Sequence, residues 1–212
     1  MDILKFLLIA IIGYALGNLS IGLFVSHSMA KIDIREHGSG GTGATNILRT
    51  LGWLPSVMTL LGDAAKAVLA GLIGKWIMGP ENAIIGAQVG GVFAVIGHNW
   101  PAAFRFKGGR GIAASFGAIL VLDWPIALAL LGIEIVMVAA TRYVSVASIT
   151  AAISYVILTA IFRSGDWGML IYSIIICALA VYSHRGNIQR LRNHSENRLD
   201  FSKINKLSRR KK

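Results

Sequence analysis

Long apolar stretches alternate with short polar loops along the chain as far as about residue 183. A helix needs about 20 apolar residues, and roughly 17 at the least, to cross the hydrocarbon core of a bilayer. Seven stretches reach or approach that length, at about 3–28, 52–77, 83–100, 111–122, 125–141, 144–162 and 168–183. Backbone that faces lipid must be hydrogen-bonded internally, and the alternating pattern of a barrel is missing. The sequence therefore predicts an all-α integral membrane protein with seven transmembrane helices.

The run from residue 111 to residue 141 allows two interpretations. Asp123, Trp124 and Pro125 interrupt it, and proline is well suited to the first turn of a new helix. Two helices therefore explain the sequence, although the first of them is short for a full span. One long helix over the whole run is the alternative.

Composition agrees with a membrane protein. Of the 212 residues, 55% are hydrophobic and 15% are charged, whereas about 25% are charged in an average soluble domain. A soluble chain of this length could not bury so much apolar surface, and a bilayer removes that difficulty because lipid replaces the missing interior. Cys177 is the single cysteine. It lies in an apolar run, so it is expected to pack there and forms no internal disulfide framework.

The 21 Lys and Arg residues, which give a net charge of +11, lie mostly on one side of the predicted bundle. With seven spans, 17 of them fall in alternate loops and in the C-terminal segment, and three fall in the opposite loops. Basic residues accumulate on the cytoplasmic side of membrane proteins. The N-terminus is therefore predicted outside and the C-terminus in the cytoplasm. Basic flanks account for the charge, so nucleic-acid binding is not expected.

Two regions follow from this topology: a seven-helix transmembrane domain over residues 1–184 and a basic cytoplasmic tail over residues 185–212. Almost no basic residue precedes the first apolar stretch, and it ends at no convincing cleavage site. We therefore expect that stretch to be retained as a helix rather than removed as a signal peptide.

A first polar segment runs from Asp33 to Arg49 and holds four glycines within six residues. Glycines let successive backbone N–H groups turn towards one point, which makes a nest for an anion. Ser39 and nearby threonines add hydroxyl donors, and Arg35 and Arg49 add guanidinium groups suited to phosphate oxygens. A flexible connection between helices is the simpler alternative. The hydroxyls and arginines favour a phosphate site.

The same segment also matches the dinucleotide fingerprint as Gly38-x-Gly40-x-x-Gly43. That fingerprint requires a preceding strand and a βαβ unit. Because apolar helices are predicted on both sides, nucleotide binding of this kind is not expected.

A second segment, from Gly97 to Gly111, places glycines beside Lys107 and Arg110 at the start of a predicted helix. The positive end of a helix dipole favours an anion there. His98 lies where the apolar span meets this loop. A histidine at such a boundary is usually a structural hydrogen-bonding group, but beside a phosphate loop it is a candidate for acid–base or polarising chemistry.

Other polar residues occur next to the last span and within the spans. His184 and Asn187 follow the last span at a spacing of three, which would put them on one helix face. Asp63 and Lys66 have the same spacing inside the second span, where ionisable groups are costly, and we expect them to support the site by positioning a loop. Ser145 follows a short loop and could line the same site.

Several phosphate-binding elements on one face of a lipid-embedded bundle suggest a reaction between a phosphorylated metabolite and an acyl chain. A membrane transporter or binding protein for such a metabolite is the alternative, because glycine-broken helices and basic sites also occur in transporters. Transporter sites lie near mid-membrane between repeats, whereas these motifs lie at one surface and no internal repeat is found.

These segments resemble those of the bacterial acyl-phosphate:glycerol-3-phosphate acyltransferases, and the resemblance covers nearly the whole chain. Three separated motifs carry it: Asp33-x-Arg35-x-x-Gly38-Ser39-Gly40 with Gly43-Ala44-Thr45-Asn46-x-x-Arg49, Gly97-His98-x-x-Pro101 with Phe106-Lys107-Gly108-Gly109-Arg110-Gly111, and His184-Arg185-x-Asn187-Ile188-x-Arg190-Leu191 with Glu196. The chain departs from the family pattern at Gly41, Arg110 and His194, where Asn, Lys and Gly are usual. Asn18 and Ser20 also replace a usual Ser and Pro.

The resemblance implies transfer of an acyl group from acyl phosphate to the sn-1 hydroxyl of glycerol 3-phosphate, which gives lysophosphatidic acid and phosphate. It implies a multi-pass protein of the bacterial inner membrane, with its active site facing the cytoplasm and membrane lipids around it. We expect the protein to act as a monomer, without a cofactor and without a metal site.

The resemblance also implies which residues form the site. His98, His184 and Asn187 are the predicted catalytic residues, and the predicted substrate-binding residues are Ser39, Gly40, Asn46, Arg49, Lys107, Gly108, Gly109, Ser145 and Arg185. His98 is the first choice for the general base or polarising group, with His184 second and the substrate phosphate as a third possible proton acceptor. No residue has the surroundings of a covalent nucleophile.

Overall fold

The computed structural model describes residues 2–202 and 204, and this part of the chain forms an all-α bundle, as predicted. The helices are α1 (Asp2–Asn18), α2 (Ile21–Ala30), α3 (Ala44–Leu51), α4 (Trp53–Met78), α5 (Ala83–Asn99), α6 (Ile112–Leu122), α7 (Trp124–Thr141), α8 (Val144–Phe162), α9 (Trp167–Ser183) and α10 (Arg185–Arg192).

Within the described residues, five helical segments are long and apolar enough to cross a membrane. They are Ile3–Ala30, Trp53–Met78, Pro80–Phe104, Trp124–Thr141 and Val144–Phe162. The pair α9 and α10, bent by 55°, makes a sixth if it is counted as one span. The prediction of a multi-pass membrane protein is therefore confirmed, with five or six candidate spans by length and composition.

Two of the predicted spans differ from simple straight helices. The first is interrupted at Leu19 and Ser20, so that α1 and α2 are separate helices within one apolar segment. The run from 111 to 141 forms two helices rather than one, and α6 has only 11 residues. That length is below the roughly 17 residues that a span requires, so the predicted count of seven depends on α6.

Asp123 explains the break between α6 and α7. One of its carboxylate oxygens accepts a hydrogen bond from the backbone N–H of Ile126 at 3.3 Å, which caps the start of α7. Its other oxygen forms an ion pair with Arg163 Nε at 2.6 Å. The capping aspartate and Pro125 together start a new helix at this point. The ion pair also ties the α6–α7 junction to the end of α8.

Small residues allow the helices to approach closely. A side chain added at Gly74 on α4 would collide with the backbone of Gly86 on α5, and the reverse substitution would collide equally. Gly13 on α1 lies in the same way against Gly90. Close backbone contact at glycines is a common basis of helix association in membranes, where the hydrophobic effect does not drive it.

Large apolar side chains cover the outside of the bundle. Trp76, Trp124 and Trp167 are 83%, 63% and 73% exposed, and all three lie at the end of the bundle away from the glycine loops. Leucine and isoleucine side chains are exposed along the helices between the two ends. An exposed apolar surface with tryptophans near one boundary is expected for a protein surrounded by lipid.

Several of the described residues after 184 pack against the bundle. Leu199 and Ile204 are 4% and 2% exposed and contact Leu48 of α3. The backbone N–H of Leu199 donates to the carbonyl of Arg142 at 2.8 Å. The predicted boundary at residue 184 therefore does not coincide with a separation in packing. The remaining part of the predicted tail, residue 203 and residues 205–212, lies outside the described residues.

Candidate active site

Asn46 holds the first glycine segment in shape. Its amide nitrogen lies within 2.8–3.1 Å of the carbonyl oxygens of Ile34, His37 and Gly41, and its amide oxygen accepts from the backbone N–H of Ser39 at 2.9 Å. The side chain is 3% exposed. Asn46 was predicted to bind substrate, but its hydrogen-bonding groups are used by the loop itself. Its effect on a ligand is through the shape of that loop.

The loop that Asn46 holds needs glycine at two positions. Gly38 and Gly40 have φ angles of +60° and +72°, in the left-handed region that favours glycine. Arg35, expected from the sequence to meet phosphate, instead pairs with Asp33 at 2.6 Å. Hydrogen bonding to the Arg35 side chain lowers the pKa of Asp33. That arginine is therefore part of the loop scaffold.

Lys66, on α4, contacts both the end of α1 and His98. Its ammonium group donates to the carbonyl oxygens of Gly17 and Leu19 at 3.0 and 2.7 Å, where α1 ends, and lies 2.9 Å from His98 Nδ1. Asp63 forms an ion pair with Lys66 at 2.9 Å and lies 3.3 Å from the same ring nitrogen. The supporting role of this pair stays a prediction, and the contacts favour it: they reach His98 as well as the break between α1 and α2.

Lys66 and Asp63 both bear on the tautomer of His98. The ammonium group can only donate to Nδ1 and the carboxylate can only accept from it, so Nδ1 has a partner in either neutral tautomer. The proton lies on Nε2 in the tautomer in which Lys66 donates to Nδ1.

The second glycine loop folds directly onto His98. The backbone N–H of Gly109 donates to the carbonyl of His98 at 3.1 Å. A Cβ at Gly108 would collide with that carbonyl oxygen, and a Cβ at Gly109 would collide with His98 Nε2. Both positions were predicted from the motif, and here they are required for close approach of the loop to the ring.

Substitution of Gly109 by Ala is expected to lower kcat/KM by about tenfold, because the added methyl group displaces the His98 ring. Steady-state kinetics of the purified variant measure the loss. Gly132→Ala is the matched control, since a Cβ at this exposed position on α7 meets no atom within 4 Å. Kinetics of Gly109→Ala equal to those of Gly132→Ala would contradict the close contact.

His184 lies at the junction of α9 and α10 and is 2% exposed. Its Nδ1 is 2.8 Å from the carbonyl oxygen of Ala180. A carbonyl can only accept, so Nδ1 carries the proton and Nε2 of the neutral ring is left with a free lone pair. The Ala180 carbonyl thus selects one tautomer of His184, whereas Lys66 and Asp63 together accommodate either tautomer of His98.

Glu196 joins two of the helices around the site, α8 and α10. One carboxylate oxygen accepts from Ser145 Oγ at 3.1 Å and from Asn187 Nδ2 at 2.7 Å, and the other accepts from Arg190 Nε at 2.8 Å. Burial by itself would raise the pKa of Glu196, but the hydrogen bonds from Asn187 and Arg190 outweigh it and lower the pKa. Ser145 and Asn187, both predicted site residues, are thus brought together by a third residue that was not on the predicted list.

Arg49 and Arg110 add positive charge beside this carboxylate. Arg49 donates to the carbonyl of Asn197 at 3.0 Å. Burial, with the nearby charges of Arg190 and Arg49, lowers the pKa of Arg110 to about 10. A buried cation with other cations nearby is strongly stabilised when an anion binds beside it. Arg49 and Arg110 therefore favour the binding of a phosphate group here. Arg110 is a further residue that the predicted site omitted, although it stands in the second motif.

A cavity of about 420 Å³ extends from the two glycine loops into the bundle. Among the predicted site residues, it is lined by Ser39, Asn46, His98, Gly109 and His184. Arg110 and Asp63 also contribute, and the deeper walls are apolar side chains of α4, α6, α7, α8 and α9. Leu61 lines the cavity and is 63% exposed, so the cavity also opens sideways on the face that meets lipid.

A second, more polar pocket of about 540 Å³ adjoins the first at Arg110. It is lined by Arg110, Ser183, Arg185, Gly186, Asn187, Gln189 and Arg190. Its three arginines suit a small anion from the aqueous side. Two of the predicted residues, Arg185 and Asn187, are in this pocket rather than in the apolar cavity.

The remaining predicted residues lie beside the two pockets. Gly40 and Gly108 shape the loops, Arg49 and Ser145 lie in the network around Glu196, and Lys107 is exposed. Lys107 makes no side-chain hydrogen bond or ion pair with any residue that the structure describes. Its ammonium group is therefore available to a ligand but is not held in place by the protein.

Known proteins give the context for this geometry. A family model described as glycerol-3-phosphate acyltransferase matches residues 7–194. The chain belongs to the glycerol-3-phosphate acyltransferase family. A family member from Thermoanaerobacter pseudethanolicus is 40% identical over 192 residues, which cover 91% of this chain and 94% of that protein. Another, from Clostridioides difficile, is 38% identical over 206 residues, covering 96% and 100%.

Solved structures of the glycerol-3-phosphate acyltransferase family have the same fold. PlsY (YgiH), an integral membrane glycerol 3-phosphate acyltransferase, superposes in its glycerol 3-phosphate form with a TM-score of 0.84. The two sequences are 32% identical, and the match covers 94% of this chain and 98% of that one. The lysophosphatidic acid form of the same protein gives a TM-score of 0.80, with 94% and 97% covered. The resemblance stated from the three motifs is thereby confirmed.

Proposed function

We propose that this acyltransferase moves an acyl group from acyl phosphate to the sn-1 hydroxyl of glycerol 3-phosphate, giving lysophosphatidic acid and phosphate. One observation carries the proposal. An apolar cavity, open towards lipid at Leu61, ends at two glycine loops and meets an arginine-lined pocket at Arg110. A membrane-borne acyl donor suits the first volume, and a small water-soluble phosphate ester suits the second. Membership of an acyltransferase family favours this enzyme over the transporter alternative.

The reaction needs little chemical activation of the donor. Acyl phosphate is a mixed anhydride, so its phosphate is already a good leaving group. The acceptor oxygen forms a bond to the acyl carbon, the bond from that carbon to the phosphate oxygen breaks, and the hydroxyl proton is taken up by a base. The protein has to position the two substrates and stabilise the negative charge that develops on the carbonyl oxygen and on the leaving phosphate.

The hydrogen bonds of the two histidines support different roles. His184 Nε2, with its free lone pair, is the better candidate to accept the hydroxyl proton. In the tautomer in which Lys66 donates to Nδ1, His98 carries its proton on Nε2, next to the backbone of Gly109, and is suited to donate to an oxygen that gains charge. The sequence made His98 the first choice for the general base or polarising group, and this assignment gives His98 the polarising role and His184 the role of base. The phosphate of a substrate remains the third candidate acceptor.

The cations supply the binding of phosphate groups in this proposal. Arg110 lies between the two pockets and meets both substrates. Arg49 and Lys107 bind phosphate from the loop side, with Ser39 and Gly40 at the first glycine loop. Ser145 and Asn187, held together by Glu196, are further substrate contacts.

Topology and location belong to the same proposal. Seven membrane-crossing segments, with α6 as the shortest, put the N-terminus outside and the glycine loops, Glu196 and the C-terminus in the cytoplasm, where glycerol 3-phosphate is dissolved. The distribution of basic residues supports that orientation. A monomer in the bacterial inner membrane is sufficient, because all the proposed site residues come from one chain.

The deciding experiment uses the purified full-length protein in detergent or nanodiscs. Lysophosphatidic acid should form from hexadecanoyl phosphate and glycerol 3-phosphate, with stoichiometric release of phosphate. Hexadecanoyl-CoA is the control donor and should give no product above background. Product formed from the CoA ester but not from the acyl phosphate would overturn the proposed donor, and no product from either would overturn the proposed function.

A further inference from the structure

Three polar atoms line the apolar cavity with neither a hydrogen bond nor an ion pair to any residue that the structure describes. They are Ser115 Oγ on α6, Glu134 Oε2 on α7 and Tyr155 OH on α8, and each is buried and unpartnered among the described residues. Most of the other lining side chains at this depth are Leu, Ile, Ala and Phe. Buried polar groups in native proteins are normally paired, so three unpaired ones on the wall of one cavity require an explanation.

The helices hold these groups rigidly on the cavity wall. Tyr155 is fully buried, and its ring meets that of Tyr172 edge to face at 6.4 Å between centroids. Ser148, Ala151, Ala152 and Tyr155 all line the cavity, at the spacing of one face of α8. Ser115 is 7% exposed. The arrangement is therefore part of the fold rather than a chance orientation of surface side chains.

Glu134 is the best-defined member of the set. Its Oε1 accepts a hydrogen bond from Ser148 Oγ at 2.9 Å, which fixes the carboxyl group and leaves Oε2 free. Ser148 lies four residues after the start of α8 and Ser115 three residues after the start of α6. Both positions are therefore only about 5 Å along their helices from the loop end of the cavity. A group that pairs with Glu134 must accordingly be close to the reacting end of the bound chain.

We propose that the cavity selects acyl donors whose chain carries a hydroxyl group near the carboxyl end, with Glu134 as the specificity-determining residue. A hydroxyl there gives Glu134 Oε2 the hydrogen bond that it lacks, and an unsubstituted chain leaves the carboxyl unpaired. A site built to hydrogen-bond a substrate hydroxyl discriminates against the analogue that lacks it. This inference rests on the proposed function, because it concerns the acyl donor of that same reaction.

The test compares hexadecanoyl phosphate with 3-hydroxyhexadecanoyl phosphate as donors to glycerol 3-phosphate. For the unaltered protein we expect kcat/KM for the hydroxylated donor to be about tenfold higher. In Glu134→Leu that preference should disappear. Glu134→Gln keeps a hydrogen-bonding group of the same shape, so it should retain a preference. It also tests the inference if the leucine variant does not fold.

Thr159→Val provides the matched control. Thr159 is also a fully buried residue of α8, and its hydroxyl has no partner within the described part of the chain, but it does not line the cavity. Its substitution should leave the donor preference unchanged. Equal or lower kcat/KM for the hydroxylated donor in the unaltered protein would overturn the inference, as would a preference that survives in Glu134→Leu. If the inference fails but the unaltered protein uses hexadecanoyl phosphate, the proposed function still stands. Inactivity with both donors would contradict the inference and the proposed function together.

Discussion

Replacing His184 by Gln is expected to lower kcat/KM by about 100-fold or more, because the amide cannot take up a proton. The hydrogen bond from His184 Nδ1 to Ala180 leaves Nε2 as an acceptor inside the cavity. His98→Gln should cost much less, since the glutamine amide keeps an N–H donor near the place of His98 Nε2. Steady-state kinetics over a range of pH measure both effects.

The pair of glutamine variants separates the three candidates for the base. Loss of the acidic limb of the pH–rate profile in His184→Gln, with the limb kept in His98→Gln, is the expected pattern. The opposite pattern would exchange the roles of the two histidines. Near-normal rates in both variants would leave a substrate phosphate as the proton acceptor, and His98→Ala would then lose only the donated hydrogen bond.

Replacing Lys66 by Met is expected to destabilise the fold by about 3 kcal/mol and to impair catalysis as well. The side chains of Lys66 and Asp63 are 4% and 2% exposed. Removal of the ammonium group leaves a buried carboxylate, two carbonyl oxygens at the end of α1 and His98 Nδ1 without their donor. Equilibrium unfolding in mixed micelles measures the first effect, and kcat/KM measures the second.

A double variant distinguishes positioning of His98 from simple stability. Asp63→Leu combined with Lys66→Met removes both charges, so much of the stability should return. Activity should stay low, because His98 remains without the donor that orients it. Lys75→Met is the control on the same helix, since Lys75 donates to the carbonyl of Val121 and lines neither pocket. Full recovery of activity together with stability in the double variant would show that the pair acts on the fold alone.

Local pattern was enough to predict most of the helices. The bounds of α8, Val144–Phe162, agree with the prediction. The apolar run is uninterrupted, and a loop with Arg142 precedes it and a loop with Gly165 follows it. The break between α1 and α2 was not predictable in this way. Neither Leu19 nor Ser20 is a helix breaker, and the exposed carbonyls at the break are satisfied by Lys66, 47 residues further along from Leu19.

The site shows the same division between local and distant causes. The glycine loops, His98 and His184 were found from motifs, since their residue types indicate a phosphate site directly. Glu196 was overlooked as the partner of Ser145 and Asn187, because its hydrogen bonds bring together residues 51 and 9 positions away. Asn46 and Arg35 have residue types that suit ligand binding, yet the loop uses their hydrogen-bonding groups internally. Residue type alone does not show whether such a side chain binds a ligand or stabilises its own loop, whereas the three-dimensional structure does.

In the proposed reaction, phosphate and lysophosphatidic acid have separate exits beside the short helix α6. Its 11 residues rise about 16 Å, roughly half of the ~30 Å hydrocarbon layer. Asp123 ties one end of α6 to Arg163, and Gly111 at the other end lines the apolar cavity beside Arg110. In the proposed reaction, phosphate leaves through the arginine-lined pocket at Arg110, while the lipid product moves out sideways past Leu61. Neither product has to clear the path of the other before the next cycle begins.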